Sequence, residues 1–326
     1  MINRDQVFNI QTALEFNRAA LEIFRYQAQH TPVYRDYLKA LRIDTHSITE
    51  YRQIPFLPIQ FFKTQSVLAD GLSPELTFIS SGTTGMTSSK HHVPDLKWYV
   101  ESYRNTFKLF YGDIQNMTIL ALLPSYLERD GSSLIYMVDD LIQSSEKPES
   151  GYFLYNHQEL YYTLENLQHK GKKTILIGVT YALLDFIDNY SINFPELIVM
   201  ETGGMKGKRK EMVREELHQL LKKGFGVQAI HSEYGMTELL SQGYSYGDGL
   251  FYTPPWMKIL IRDTNDPLSL LENKKTGAIN VIDLANYYSC SFVATQDLGK
   301  IHVDQSFEIL GRFDNSDIRG CNLLVQ

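Results

Sequence analysis

Between residues 94 and 230 short apolar runs alternate with longer segments at helical spacing, and this alternation constrains the fold more than any other feature. Pro94–Tyr111 is predicted helical, with Pro94 in the first turn, where its missing N–H costs nothing. Met117–Leu123 is a strand and Ser132–Ile142 a helix; Ser144–Gly151 is a polar connection. Glu159–His169 (helix), Thr174–Val179 (strand), Tyr181–Tyr190 (helix), Leu197–Met200 (strand), Lys208–Lys223 (helix) and Val227–Ile230 (strand) continue the series. In the last helix Val213, Leu217, Leu220 and Leu221 share a face, and Gly224 is the predicted stop. Strands with no polar alternation require burial on both faces, which a parallel sheet covered by helices provides. The predicted class is α/β, with mainly parallel sheets flanked by helices.

The flanks read differently. In the first sixty residues Ala13, Phe16, Ala20, Ile23 and Phe24 recur at helical spacing, and Thr31-Pro32 restarts the chain. Pro55 and Pro58 force an extended passage through Ile54–Ile59, and Leu76–Ser80 is a short strand candidate. After Gly235, Met257–Arg262, Ala278–Asp283, Ser291–Ala294 and Lys300–Val303 are short β candidates separated by turn residues. They predict a smaller, β-barrel-like subregion. The expected division is a helical segment (1–60), an α/β core (61–240), a β-rich subregion (241–311) and a short tail (312–326).

Composition excludes several classes. Hydrophobic residues at 43% and charged residues at 21% describe a globular chain rather than a disordered one. A formal charge of −7 lacks the basic footprint of a nucleic-acid binder. No apolar run approaches the ~18 residues of a membrane span, and Met1–Gln6 opens no signal peptide. Two cysteines make no disulfide framework, so a reducing cytoplasm is expected. Any thiol chemistry is confined to Cys290 or Cys321.

The most distinctive local stretch is Ser80-Ser81-Gly82-Thr83-Thr84-Gly85-Met86, directly after a strand candidate. Glycines let backbone N–H groups turn inward and hydroxyls add donors, a combination suited to a polyphosphate. A polar surface turn is the competing reading. The stretch is neither a Walker loop nor a dinucleotide fingerprint, and Gly203-Gly204-Met205-Lys206-Gly207-Lys208 misses the Walker spacing by one residue. Three later pieces accompany it: His231-Ser232-Glu233-Tyr234-Gly235-Met236-Thr237-Glu238, then Ala294–Ile301 around Asp297, then Gly311-Arg312-Phe313-Asp314 running on to Arg319-Gly320-Cys321. In this order, across residues 80–321, the set resembles the adenylate-forming superfamily of acyl-CoA synthetases, luciferases and peptide-synthetase adenylation domains. The segment Ile54–Thr64 and the ending Arg319-Gly320-Cys321 resemble its acyl-protein synthetase (LuxE-type) branch, with phenylacetate-CoA ligases as near relatives.

The resemblance implies the large domain of an adenylate-forming enzyme and a set of roles. Ser80, Ser81, Gly82, Thr83, Thr84 and Gly85 would cradle the phosphates of ATP. The family loop has a lysine after its last glycine; here Met86 stands there, and Lys63 is the substitute implied by the phenylacetate ligases. Thr237 would donate to the α-phosphate, Tyr234 beside Gly235 would stack on adenine, and Glu238 would bind Mg²⁺. Gly203 and Gly204 would let adenine approach the backbone. Asp297 would accept the ribose hydroxyls, Arg312 would contact ribose or phosphate, and Asp314 matches the hinge. His231 would border the acyl carboxylate; a structural histidine is the competing reading. The adjacent His91-His92 pair lacks the i, i+4 spacing of two metal ligands on one helical face and reads as structural.

Superfamily members carry a small domain beyond the hinge, and the ending at Gln326 leads us to expect a large domain without it, as in the acyl-protein synthetase branch. That branch implies a carboxylic acid substrate, a fatty acid foremost, passed as acyl-adenylate to Cys321 and onward to a partner thiol. An incidental near-terminal cysteine is the competing reading of Cys321, and Cys290 reads as an inert buried thiol. Two other functions stay open: direct ligation to coenzyme A or a carrier protein, and nucleotide binding without turnover. A homodimer is a further expectation, with no nucleic acid and no integral membrane segment.

Overall fold

The amino-terminal helices begin where side chains can satisfy free backbone N–H groups. In the computed structural model, which describes residues 2–80, 87–124, 131–203, 209, 212–272 and 274–313, α1 is Arg4–Phe8 and α2 is Ala13–His30. Thr12 and Glu15 close a reciprocal capping box at the start of α2. Pro32 occupies the first turn of α3 (Pro32–Ala40), the restart anticipated at Thr31-Pro32. The Pro55–Pro58 passage becomes β1 (Leu57–Pro58), followed by the single turn α4 (Phe61–Thr64). The chain forms two compact units, Met1–Gly71 with Pro255–Gln326, and Leu72–Pro254.

The Leu72–Pro254 unit holds the alternating region. A hairpin of β2 (Leu76–Ile79) and β3 (Lys90–Val93) opens it. Helix α5 (Leu96–Tyr111) starts one residue after the Asp95 cap, whose side chain accepts from Lys97 N at 3.0 Å. Pro94 therefore precedes the cap instead of lying in the first turn, because Asp95 supplies the acceptor the helix start needs, worth about 1 kcal/mol. Then come β4 (Thr118–Leu122), α6 (Ser133–Ser145), β5 (Gly151–Tyr152), α7 (His157–His169), β6 (Thr174–Val179), α8 (Thr180–Ile187), β7 (Ile198–Thr202), α9 (Arg214–Phe225) and β8 (His231–Tyr234). The order β5-β4-β6-β7-β8 is parallel throughout. Strands β9 (Gly243–Ser245) and β10 (Phe251–Tyr252) extend it antiparallel. All residues of β4 and β6 are buried, as strands covered on both faces must be.

The last helix of this unit and the strand after it differ from the sequence reading. Helix α9 stops at Gly226, in the left-handed region at φ 68°, while Gly224 lies inside the helix. A Cβ at Gly224 would stand 2.5 Å from Ile187 Cγ2, so this glycine serves close packing of α9 on α8. The buried face is Leu217, Leu221 and Phe225; Val213 and Leu220 are exposed. The strand expected at Val227–Ile230 instead begins at His231.

The other unit resumes with β11 (Met257–Arg262), β12 (Thr276–Asp283), β13 (Phe292–Ile301) and β14 (Phe307–Arg312), consecutive antiparallel neighbours. Strand β1 pairs parallel with β13. The candidates Ser291–Ala294 and Lys300–Val303 are thus largely one strand, and Asp297 sits within it rather than in a turn between two. Gln27 of α2 donates to the carbonyls of Asn286 and Tyr287 at 3.0 and 2.8 Å, which fixes the helix against the turn before β13.

Candidate active site

Parallel strands point their carboxyl ends the same way, and ligands of such sheets bind there. In the Leu72–Pro254 unit, β7 ends at Thr202 and Gly203, and β8 runs into the Gly235–Glu238 turn. Gly203 adopts φ 71°, a conformation that glycine reaches without strain. The hydroxyl-rich segment leaves from the end of β2. Its neck is closed by two bonds: Ser80 N donates to Ser89 O at 3.0 Å, and Ser89 N donates to Ser80 Oγ at 2.8 Å. Two residues on, the fully buried His91 ring meets the Thr237 carbonyl at 2.8 Å. A carbonyl only accepts, so Nδ1 carries the proton and the tautomer is fixed. The root of the hydroxyl-rich segment is thereby tied to the turn carrying Thr237 and Glu238. Glu238 is only 6% exposed, and Tyr234, also buried, packs edge-on against Phe251 at 6.2 Å.

Pairing register assigns side chains to faces. Glu201 pairs with Ser232, so both face α9, where His218 Nε2 stands 3.7 Å from Glu201 Oε1. Thr180 Oγ1 donates to the other carboxylate oxygen at 3.2 Å. Burial raises the Glu201 pKa, but the His218 ring and the Ser232 hydroxyl outweigh it and hold the carboxyl below its ordinary range. The opposite face carries His231, Glu233 and, by register, Tyr244, and is covered by α5. There Thr202 Oγ1 donates to Glu233 Oε2 at 2.6 Å. Burial, with a smaller contribution from the Glu201 charge, pushes the Glu233 carboxyl up to about 7. His231 is half-buried beside Tyr111, whose hydroxyl lies 3.3 Å from Nδ1, and burial lowers its pKa to about 4. The imidazole is therefore neutral at physiological pH, suited to polar contact with an acyl group and not to charge neutralisation.

In the other unit, Asp297 and Arg312 are register partners on β13 and β14, and Arg312 Nε meets Asp297 Oδ1 at 3.2 Å. The carboxylate is buried and the guanidinium 71% exposed. Lys63 is half-buried on α4. Cys290 is buried, and its thiol is pushed up to about 12, which removes it as a nucleophile. Ser81, Gly82, Thr83, Thr84, Gly85, Gly204, Asp314 and Cys321 lie outside the described residues. Among the described residues no three metal-binding side chains cluster, and no helix is long and apolar enough to cross a membrane. The sequence reading assigned no role to Glu201, Glu233 or His218, and gave His91 only as one of an adjacent histidine pair. Glu233 lay within the quoted motif, and its place one residue before Tyr234 was the available signal.

No protein-family model matches this sequence, and no curated protein matches it. Solved structures do. An open conformation of 2-hydroxyisobutyryl-CoA ligase in complex with 2-HIB-AMP and CoA is 10% identical, with a TM-score of 0.66 over 97% of this chain and 75% of that one. ATP-bound MatB from Rhodopseudomonas palustris is 18% identical, with a TM-score of 0.55 over 72% of this chain and 47% of that one. The ATP-bound RpMatB-BxBclM chimera B3 gives the same values. The chain thus spans about half the length of the MatB structures it matches. These likenesses establish the α/β fold expected for an adenylate-forming large domain.

Proposed function

We propose that this chain activates a carboxylic acid with ATP, forming an acyl-adenylate, and passes the acyl group to Cys321 and then to a partner thiol. The observation that supports the reading is the His91–Thr237 bond, which ties β3, the strand that follows the hydroxyl-rich stretch in sequence, to the turn carrying Thr237 and Glu238. Their residue types suit phosphoryl chemistry. Positioned N–H and O–H donors stabilise charge on the phosphates, and a neutral acid-side environment at His231 avoids trapping the carboxylate in a salt bridge. The fold shared with ligases bound to ATP or an acyl-AMP supports the same reading.

In the first step a carboxylate oxygen attacks the α-phosphorus. The bond to the β-phosphate oxygen breaks, and pyrophosphate leaves. In the second, the Cys321 thiolate attacks the mixed-anhydride carbonyl; the bond to the AMP oxygen breaks, leaving a thioester. Magnesium bound to phosphates takes only one or two carboxylates, so the single buried Glu238 fits as its protein ligand. That ion would neutralise charge on the departing pyrophosphate. Ser81 to Gly85 with Ser80, Lys63 and Thr237 serve the phosphates; Tyr234, Gly235, Gly203 and Gly204 the adenine; Asp297 and Arg312 the ribose.

ATP–pyrophosphate exchange across a panel of fatty, aryl and short-chain acids tests the first step, and hydroxylamine-labile acyl labelling tests the second. Cys321→Ser should keep exchange and lose the thioester label. A second reading, direct transfer to coenzyme A, is favoured by the CoA bound to the 2-hydroxyisobutyryl-CoA ligase neighbour. Acyl-CoA formed at equal rate by the Cys321→Ser variant would select it. Nucleotide binding with no exchange across the whole panel would defeat both.

A further inference from the structure

We propose that Glu233 is a specificity-determining residue of the acyl site and that the preferred acid carries a cationic amine. The inference rests on the acid-activating reading and adds the substrate class. Glu233 immediately precedes Tyr234-Gly235 at the carboxyl end of β8. A Cβ built on Gly235 would lie 2.2 Å from its Oε1, so the carboxyl head reaches along the strand to the turn where adenylation would occur. Thr202 satisfies Oε2. Oε1 accepts no hydrogen bond from a described residue, and no described lysine or arginine pairs with the carboxyl.

Its neighbours on this face are aromatic: Tyr244 on β9 is its register partner. Tyr111 packs edge-on against Tyr244 at 5.3 Å, and Tyr246 packs edge-on against His231 at 5.6 Å. A carboxylate partly withdrawn from water binds an ammonium group more strongly than one in water. Glu233 is half-buried, not sealed. An alkyl chain laid over it would leave the free oxygen unmatched, at the cost of an unsatisfied polar group. A structural role gives no reason for an acid in place of glutamine, because Thr202 needs only one acceptor.

The test uses the full chain and ATP–pyrophosphate exchange with matched acids: ε-aminocaproate against caproate, γ-aminobutyrate against butyrate, and β-alanine against propionate. Aminated members should exceed their partners in kcat/KM by roughly 30-fold, the scale of a desolvated charge pair. Glu233→Gln, which keeps the Thr202 bond, should bring that ratio close to unity, a readout that a structural role would not move. Equal or better exchange with the unsubstituted acids, long-chain acids included, overturns the proposal while leaving acid activation intact. Exchange with no acid at all removes the acid-activating reading, and this one with it.

Discussion

The two faces of the sheet where β7 and β8 end are built from the same kind of side chain in opposite surroundings. Toward α9, Glu201 lies near His218 and accepts from Thr180. Toward α5, Glu233 has one threonine donor, with Tyr244 as its register partner. The strands are adjacent and the residue type is identical, yet one carboxyl is held below its ordinary pKa and the other raised to about 7. Burial raises both; what differs is whether a partner compensates it. A compensated buried acid contributes to the fold. An uncompensated one costs stability and is kept where something outside the fold uses it.

Three substitutions break or sharpen this contrast. Removing the compensated acid should have the largest effect. Glu201→Ala leaves the Thr180 hydroxyl without its acceptor and removes the carboxylate beside His218, and should destabilise by about 3 kcal/mol, the upper end for a buried polar group left unsatisfied. Because the wild-type pKa is depressed, that contribution is present above the ordinary value of 4.5 and is lost as pH falls through the native value. Thermal unfolding at pH 7 and pH 3 should show the wild-type advantage shrinking in acid. A variant as stable as wild type at pH 7 would mean that Glu201 is not compensated.

Glu233→Gln should act in the other direction. A native pKa of about 7 against 4.5 unfolded means the native state holds the proton longer. Stability therefore falls as pH rises from 4.5 to about 7 and stays low above it. At 1.36 kcal/mol per pKa unit the penalty is at most about 3 kcal/mol, and partial exposure brings it to about 1–2. The glutamine variant should melt above wild type at pH 8 and level with it at pH 4. Lower melting at pH 8 would remove the uncompensated-acid description.

The smallest effect is expected in the other unit. Arg312 is 71% exposed where it meets Asp297, and exposed ion pairs contribute about 0–1 kcal/mol. Arg312→Ala should leave the melting temperature nearly unchanged while weakening AMP binding, measured by calorimetry. A large stability loss would assign the pair to the fold rather than to a ligand.

Which of these residues the sequence exposed follows from the range of the forces involved. Strand and helix alternation is local, so β4, β6, α5 and α7 were legible from periodicity alone. Short strands were not: β3, β5, β9 and β10 span two to four residues, and pairing rather than propensity defines them. The run Val227–Ile230 is more apolar than His231–Tyr234, yet the polar segment is the strand, because the Thr202 and Tyr111 contacts and pairing to β7 and β9 stabilise it there. The site was partly legible: the hydroxyl-rich stretch and the Tyr234–Glu238 turn are contiguous motifs. The bond between their supports is not, since His91 and Thr237 are 146 residues apart. Nor is the difference between Glu201 and Glu233, which depends on which face of the sheet each enters.

Cys290 offers a practical consequence. Fully enclosed and with its thiol raised to about 12, it should resist alkylation by iodoacetamide at pH 8 for as long as the native packing around β13 persists. Any adduct found on it would then time-stamp an opening of that unit, giving the molecule an internal clock for its own unfolding.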